Sequence, residues 1–287
     1  MNSTHLEQHP YAGRAVVLTT KHQKLELIAP ILESELGVSV VLHEADTDLL
    51  GTFVGDVERL NPARQTVIEK ARLGTAALGQ SLGIASEGTI GPDPSLPFAR
   101  SDIEYVGFVD LDLGIEVVES YRSMDIVAGE IITEPGADIT EILNRVDFPN
   151  HKLIVAPHRG ERSTAIKGIG DIAELNSSIA SLSAKSSDGK VIVQSDLRAH
   201  NSPSRQANIR QAALALARRL RALCPECKTP GWGLVGYEKG LDCSSCGELV
   251  EHAVRAEIFG CAKCSHKEIG KPISLEADPS ICNGCNP

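Results

Sequence analysis

The sequence predicts an α/β protein, a mixed parallel/antiparallel sheet flanked by helices, followed by a small C-terminal zinc-ribbon domain. Three observations carry this. Between residues 14 and 42 a strand-like run, a helix-spaced run and a second strand-like run follow in succession, which is a β-α-β unit. A middle stretch then carries a hairpin signature. All eight cysteines lie after residue 223, in four C-x-x-C pairs.

Taken in order, Arg14–Thr20 (RAVVLTT) reads as a buried strand. His22–Leu36 has helical spacing at Leu25, Ile28, Ile31, Leu32 and Leu36, with Gly37 as its stop. Val38–Leu42 reads as a second buried strand, and a polar loop follows over His43–Gly55. A long helix is expected over Asn61–Leu82, then a short strand Ile84–Glu87 running into a Gly/Pro-rich loop, Gly88–Pro97. Strands Glu104–Asp110 and Ile115–Tyr121 form the hairpin around Leu111–Gly114. Further strands are expected at Ile126–Ile132, Lys152–Ala156 and Lys190–Gln194, and helices at Ile139–Val146, Gly168–Ser183 and Pro203–Leu223. The sheet is thus expected to be parallel early and antiparallel in the middle. The domains divide as 1–222, the α/β part and expected nucleotide-binding domain, and 223–287, the cysteine-rich tail.

With 287 residues, 42% hydrophobic and 23% charged, the chain is long enough for its own core and too apolar for a disordered one. No run of 18 apolar residues offers a membrane span, and Met1–Arg14 shows no secretory signal, so a cytoplasmic protein without a membrane partner is expected. The net charge of −10 and an aromatic content of 3% disfavour nucleic acid as a partner.

The cysteine pairs are Cys224/Cys227, Cys243/Cys246, Cys261/Cys264 and Cys282/Cys285, separated by 15, 14 and 17 residues. Two thiolates three apart on a tight turn point into one tetrahedral shell, and a second such turn completes it. Eight ligands make two zinc sites. They are structural, because four thiolates leave no open position. Sequential pairing of the turns is preferred, with nested pairing and a cross-brace also geometrically open. Val250–Phe259 is expected to be a strand leading into Cys261. The tail carries six Lys/Arg against nine Asp/Glu, which suits packing on its own protein or on a protein partner better than on nucleic acid.

Polar residues gather at expected strand ends, where open α/β sheets bind ligands. Thr19, Lys21 and Lys24 surround a helix start and suit an anion. Asp46 and Asp48, beside Glu44, suit a cation such as Mg²⁺. Glu87 ends a strand before glycines, which suits a metal ligand or a general base. Asp196, Arg198 and His200 alternate on an extended segment that enters a helix at Ser202-Pro203, with Arg205 in its first turn. His158, Arg159 and Arg162 form a less specific basic loop.

The chain resembles a bacterial family of uncharacterised proteins that join an α/β domain to a double zinc-ribbon tail. The resemblance rests on Thr20-Lys21-His22, Asp46-Thr47-Asp48 with Gly51-Thr52-Phe53, Lys70-Ala71-Arg72, Ala85-Ser86-Glu87-Gly88, Asp196-Leu197-Arg198-Ala199-His200 and the tail from Cys224 to Cys285-Asn286-Pro287. Residues 14–222 are also remotely similar to the inosine triphosphate pyrophosphatase/Maf superfamily. Thr19 and Lys24 match its T-x-N-x-x-K motif, with Lys21 in place of the Asn. Lys70-Ala71 matches its K-A dipeptide, and Ala85-Ser86-Glu87-Gly88 resembles its A-D-D-S-G motif with Glu87 in the second acidic place. The carboxylates that precede K-A there are Arg64 and Gln65 here. The resemblance implies a metal-dependent hydrolase of nucleotide-like phosphates. Glu87, with Asp46 or Asp48, would be catalytic. Lys21, Lys24 and Lys70 would meet phosphate, and Arg198, His200 or Arg205 the base or sugar. The alternative is a non-catalytic module that senses a small anionic ligand and docks a protein through its tail.

Overall fold

The computed structural model describes residues 9–21, 24–45, 61–96 and 98–287. Its first sheet is centred on β1 (Ala15–Thr20), whose Val16, Val17 and Leu18 are covered on both faces. α1 (Leu25–Leu36) follows and stops at Gly37, which takes the left-handed conformation (φ 68°) that glycine adopts without a Cβ penalty. β2 (Ser39–Glu44) pairs parallel with β1. Beyond the polar loop, α2 (Ala63–Leu78) leads into β3 (Leu82–Pro92), which pairs parallel with β1 on its other side. β4 (Arg100–Asp110) and β5 (Ile115–Ser123) complete the sheet as antiparallel strands, in the order β2-β1-β3-β4-β5.

This order contains a topological switch point, the β1/β3 crevice. The chain leaves β1 toward β2 on one side and returns to β3 on the other, so the strand order reverses between β1 and β3. In open α/β sheets such a point, at the carboxyl ends of the strands, is where ligands bind. Pairing of β1 with β3 stops at Thr19↔Ala85, while β3 continues against β4 as far as Pro92. Ser86 is therefore the first residue of β3 beyond its pairing with β1.

Alternation along the strands sends side chains to two faces. One face (Val16, Leu18, Ile84, Val106, Phe108) packs on α1 and on α5 (Pro203–Arg221). The other (Ala85, Val109, Val118) packs on α2 through Val67, Ile68 and Ala71. Gly74 of α2 lies so close to β1 that a Cβ there would strike the Thr19 hydroxyl, so only glycine allows this approach.

A second, four-stranded antiparallel sheet has its own core. It contains β6 (Glu130–Thr133), β7 (Leu153–Pro157), β8 (Ile166–Ile169) and β9 (Val191–Ser195), in the order β6-β9-β7-β8. α3 (Thr140–Arg145) and α4 (Ile172–Ser183) cover one face through Ile142, Leu175, Ile179 and Leu182. A cleft of about 590 Å³ opens beside the opposite face, lined among others by Arg100, Met124, Ile154, Leu197 and Arg198.

Several expectations are corrected. The mixed sheet itself is as expected, parallel over β2-β1-β3 and antiparallel through β4 and β5, but a separate antiparallel sheet begins at β6. The helix expected from Gly168 starts at Ile172. Gly168 takes φ 83°, and Asp171 caps the helix by accepting from Glu174 N–H. The residues ahead of it are β8, which the sequence reading missed. β2 is an edge strand and not a buried one, with Val41 40% and Leu42 37% exposed. The Gly88–Pro92 half of the expected loop is strand, held by its ladder to β4.

The tail forms a third sheet, β10 (Gly233–Asp242), β11 (Leu249–Gly260) and β12 (Lys267–Pro272), an antiparallel meander. It packs on its own protein. Arg219 of α5 pairs with Glu119 of β5 and donates to the Gly231 and Leu234 carbonyls, and Ala262 rests on the first sheet's core.

Candidate functional site

Two places concentrate chemistry: the ends of the third sheet and the β1/β3 crevice. At the sheet ends the cysteines gather as Cys224, Cys227, Cys261 and Cys264, and as Cys243, Cys246, Cys282 and Cys285. Sulfur–sulfur distances of 3.8 Å (Cys224–Cys264), 3.5 Å (Cys227–Cys261), 3.8 Å (Cys243–Cys285) and 3.6 Å (Cys246–Cys282) match the edge of a thiolate tetrahedron. With Zn–S bonds of about 2.3 Å that edge is about 3.8 Å. Both groups could hold a zinc ion, and no sulfur is left over for an open position. Backbone N–H groups of Lys263 and Cys264 point at the Cys261 sulfur, as a tight knuckle requires. Hydrogen bonds with Thr229 draw the Cys227 thiol down to about 6, and N–H groups of Cys246 and Ser245 draw Cys243 down to about 7. Cys285 is pushed up to about 12 by Cys246, burial and Cys243. Four thiolates do not coexist this closely without a cation between them.

The preferred sequential pairing is corrected here: the first turn joins the third, and the second joins the fourth. Strand length is the reason. β11 has 12 residues, roughly 35–40 Å of chain. It carries the second and third turns to opposite ends of the sheet. Because β10 runs antiparallel to it, the first turn lies beside the third. β12 then returns the chain, and the Cys243↔Ala277 bridge brings the fourth turn to the second.

At the crevice, two lysines from opposite faces meet two adjacent residues of β3. Lys24, at the start of α1, donates to Ser86 Oγ at 2.9 Å. Lys70, from α2, pairs with Glu87 at 2.5 Å. All four are buried. Beyond Ser86, Glu104 of β4 takes Arg205 Nε at 2.7 Å, and Asn208 of α5 donates to Asp102 at 2.7 Å. Arg205 also reaches the Leu197 carbonyl. Gly88 makes room, since a Cβ there would collide with the Arg205 guanidinium and Glu104. Burial holds Lys24 down to about 8, against the pull of Glu104. Burial pushes Glu104 up to about 7, against Arg205 and Lys24, and raises Asp102 against Asn208. Among the described residues, Asp102 Oδ1 and Glu104 Oε2 are buried without a hydrogen-bond partner. Burying charge is costly, and perturbed groups of this kind cluster at functional places, which makes this network the candidate site.

The expected site residues therefore divide. Lys24, Lys70, Glu87 and, through Glu104, Arg205 surround the crevice. Lys21 is exposed at the end of β1. Thr19 faces α2, its hydroxyl buried without a partner. Arg198 lies apart, at the cleft beside the second sheet, held by Asp196 at 2.5 Å. His200 sits in the adjoining turn, its pKa lowered by burial and by Arg198. Asp46 and Asp48 lie outside the described residues. His158 pairs with Asp188 at 2.7 Å. The sequence reading missed Asp102, Glu104 and Asn208. Asp102 and Glu104 stand two apart on the face that Val106 and Phe108 continue, and this polar break in an apolar alternation was the available signal.

Among the described residues no helix is long and apolar enough to cross a membrane. Neither the curated proteins nor the solved structures contain a match to this chain. A family described as a domain of unknown function, DUF6671, matches residues 70–287, which take in Lys70, Ser86, Glu87, Arg205 and both cysteine groups. The chain belongs to that family.

Proposed function

We propose that the α/β part binds a small nucleotide-like phosphate at the β1/β3 crevice and hydrolyses it, and that the tail is a structural double zinc ribbon. The observation that carries the reading is the meeting of buried Lys24 and Lys70 on adjacent Ser86 and Glu87, just past the pairing of β3 with β1. α1 supports it, because its N-terminus, the end of a helix that favours an anion, begins at the same Lys24.

A phosphate at this edge competes with Glu87 for Lys70. As Lys70 turns to the phosphate oxygens, the Glu87 carboxylate is released to take a proton from an attacking water. Mg²⁺ does not fit the described residues. No group of three carboxylate, histidine or cysteine ligands gathers there outside the knuckles, and Glu87 is engaged by Lys70. No step is therefore routed through a metal ion at the crevice. That same observation favours the second reading, a module that binds the anion without turnover. Turnover of a nucleotide panel, with and without Mg²⁺, separates them. Hydrolysis by the wild type that falls by about a hundredfold in Glu87→Gln supports the enzyme. Ligand-induced thermal stabilisation without turnover supports the sensor.

A further inference from the structure

The pair Lys24–Ser86 has the geometry of a nucleophile with its own base, and nothing in the hydrolysis by water just described uses it. We propose that Ser86 is a covalent nucleophile toward the phosphoryl group, with Lys24 as its general base. The proposal rests on the phosphate reading of the crevice and adds the route by which the bond is broken.

Five features converge on it. The hydroxyl and the amine stand 2.9 Å apart, the reach expected of an activated serine. Ser86 lies midway along β3, the first residue past its pairing with β1 and level with the carboxyl end of β1. Lys24 is buried, and burial favours the neutral amine that can accept a proton. Glu104 of β4 and Arg205 of α5, paired at 2.6 Å, are the charged groups that act on Lys24 from the same face. Arg205, on the same face of the sheet as Ser86, supplies the positive charge that an anionic transition state needs.

The step balances without a metal ion or any co-reactant but water. Ser86 Oγ passes its proton to the neutral Lys24 Nζ and forms a bond to phosphorus. The bond from phosphorus to the leaving oxygen breaks, and that oxygen takes the bond's electron pair and the proton now on Lys24. Water then attacks the phosphoserine, giving a proton to Lys24. The bond between phosphorus and Oγ breaks, Lys24 returns the proton to Oγ, and phosphate departs.

The test uses the full-length, zinc-loaded protein and a fluorophosphonate probe, whose phosphorus is captured irreversibly by an activated serine with loss of fluoride. Peptide mapping of the wild type should place one adduct on Ser86, at a rate that rises with pH through about 8. Lys24→Arg, which keeps the charge and cannot give up its proton, should slow labelling by about a hundredfold. Bound zinc and circular dichroism check that the variant is folded. A wild type unlabelled at Ser86, or labelling indifferent to Lys24→Arg, overturns the proposal. Thermal shifts by nucleoside triphosphates separate the two claims. A shift without an adduct removes the nucleophile and leaves the phosphate reading, whereas an adduct without a shift supports the nucleophile and removes that reading.

Discussion

Lys70 and Glu87 hold each other at 2.5 Å with side-chain exposures of 9% and 7%, so each depends on the other for its buried charge. Lys70→Met leaves the Glu87 carboxylate without that cation and should cost about 3–5 kcal/mol in urea unfolding. Replacing both by Met should restore much of the loss, since a packed apolar pair avoids the desolvation that the ion pair bears. Glu104 carries a different signature. Its carboxyl lies above its usual value in the folded chain, so folding takes up a proton there. The stability it contributes is full below about 4.5 and is lost as pH rises through about 7. Glu104→Gln should flatten that slope in unfolding measured across the interval. Of these residues, Lys24 and Glu87 were legible from type and position, and Lys70 only through the K-A dipeptide of the resemblance. Ser86 was read only as a substituted acid, and the partners on β4 were hidden because a strand prediction asks only for alternation.

α5 shows how an element can be right in the sequence and its anchoring invisible. Pro203 at its start and the apolar spacing of Ile209, Ala212 and Leu216 announce the helix, yet Ser202 makes no capping bond with its side chain. The cap comes from His151, far away in sequence. Its Nε2 accepts from Ser204 N–H at 3.2 Å and meets Ser204 Oγ at 2.9 Å, while its Nδ1 faces Asp147 at 3.0 Å. His151→Ala should therefore lower stability by about 1–2 kcal/mol, the usual value of a lost N-cap, while zinc content stays unchanged. Turns with local chemistry were legible too, such as the hairpin around Leu111–Gly114, where Asp110 accepts from Asp112 and Leu113. β8 and the outer half of β3 were not. Gly168, Gly88 and Gly91 read as breakers, and only pairing with a partner strand made them strand.

The arrangement of the three sheets sets what each part can do. Long antiparallel strands place the two cysteine groups at opposite ends of the tail, a consequence of strand direction that spacing between knuckles does not encode. Cys224→Ser with Cys261→Ser strikes one group and should leave one zinc per chain, whereas Cys224→Ser with Cys243→Ser strikes both and should leave none. Sequential pairing gives the reverse result, so zinc analysis of the two double variants distinguishes them. The tail is fastened to β5 and α5 by Arg219, and α5 also supplies Arg205 to the crevice. The strand reversal between β1 and β3 positions that crevice; the β-α-β unit read at the outset implied the parallel pairing of β1 and β2 but not the place of β3. Calorimetric titration of a nucleoside triphosphate into the wild type and into Lys24→Gln tests most directly whether the crevice receives phosphate. Binding by the wild type that weakens at least about tenfold in the variant is expected, the loss of one charge-assisted contact. Equal affinity in both proteins, or no binding by the wild type, would contradict it.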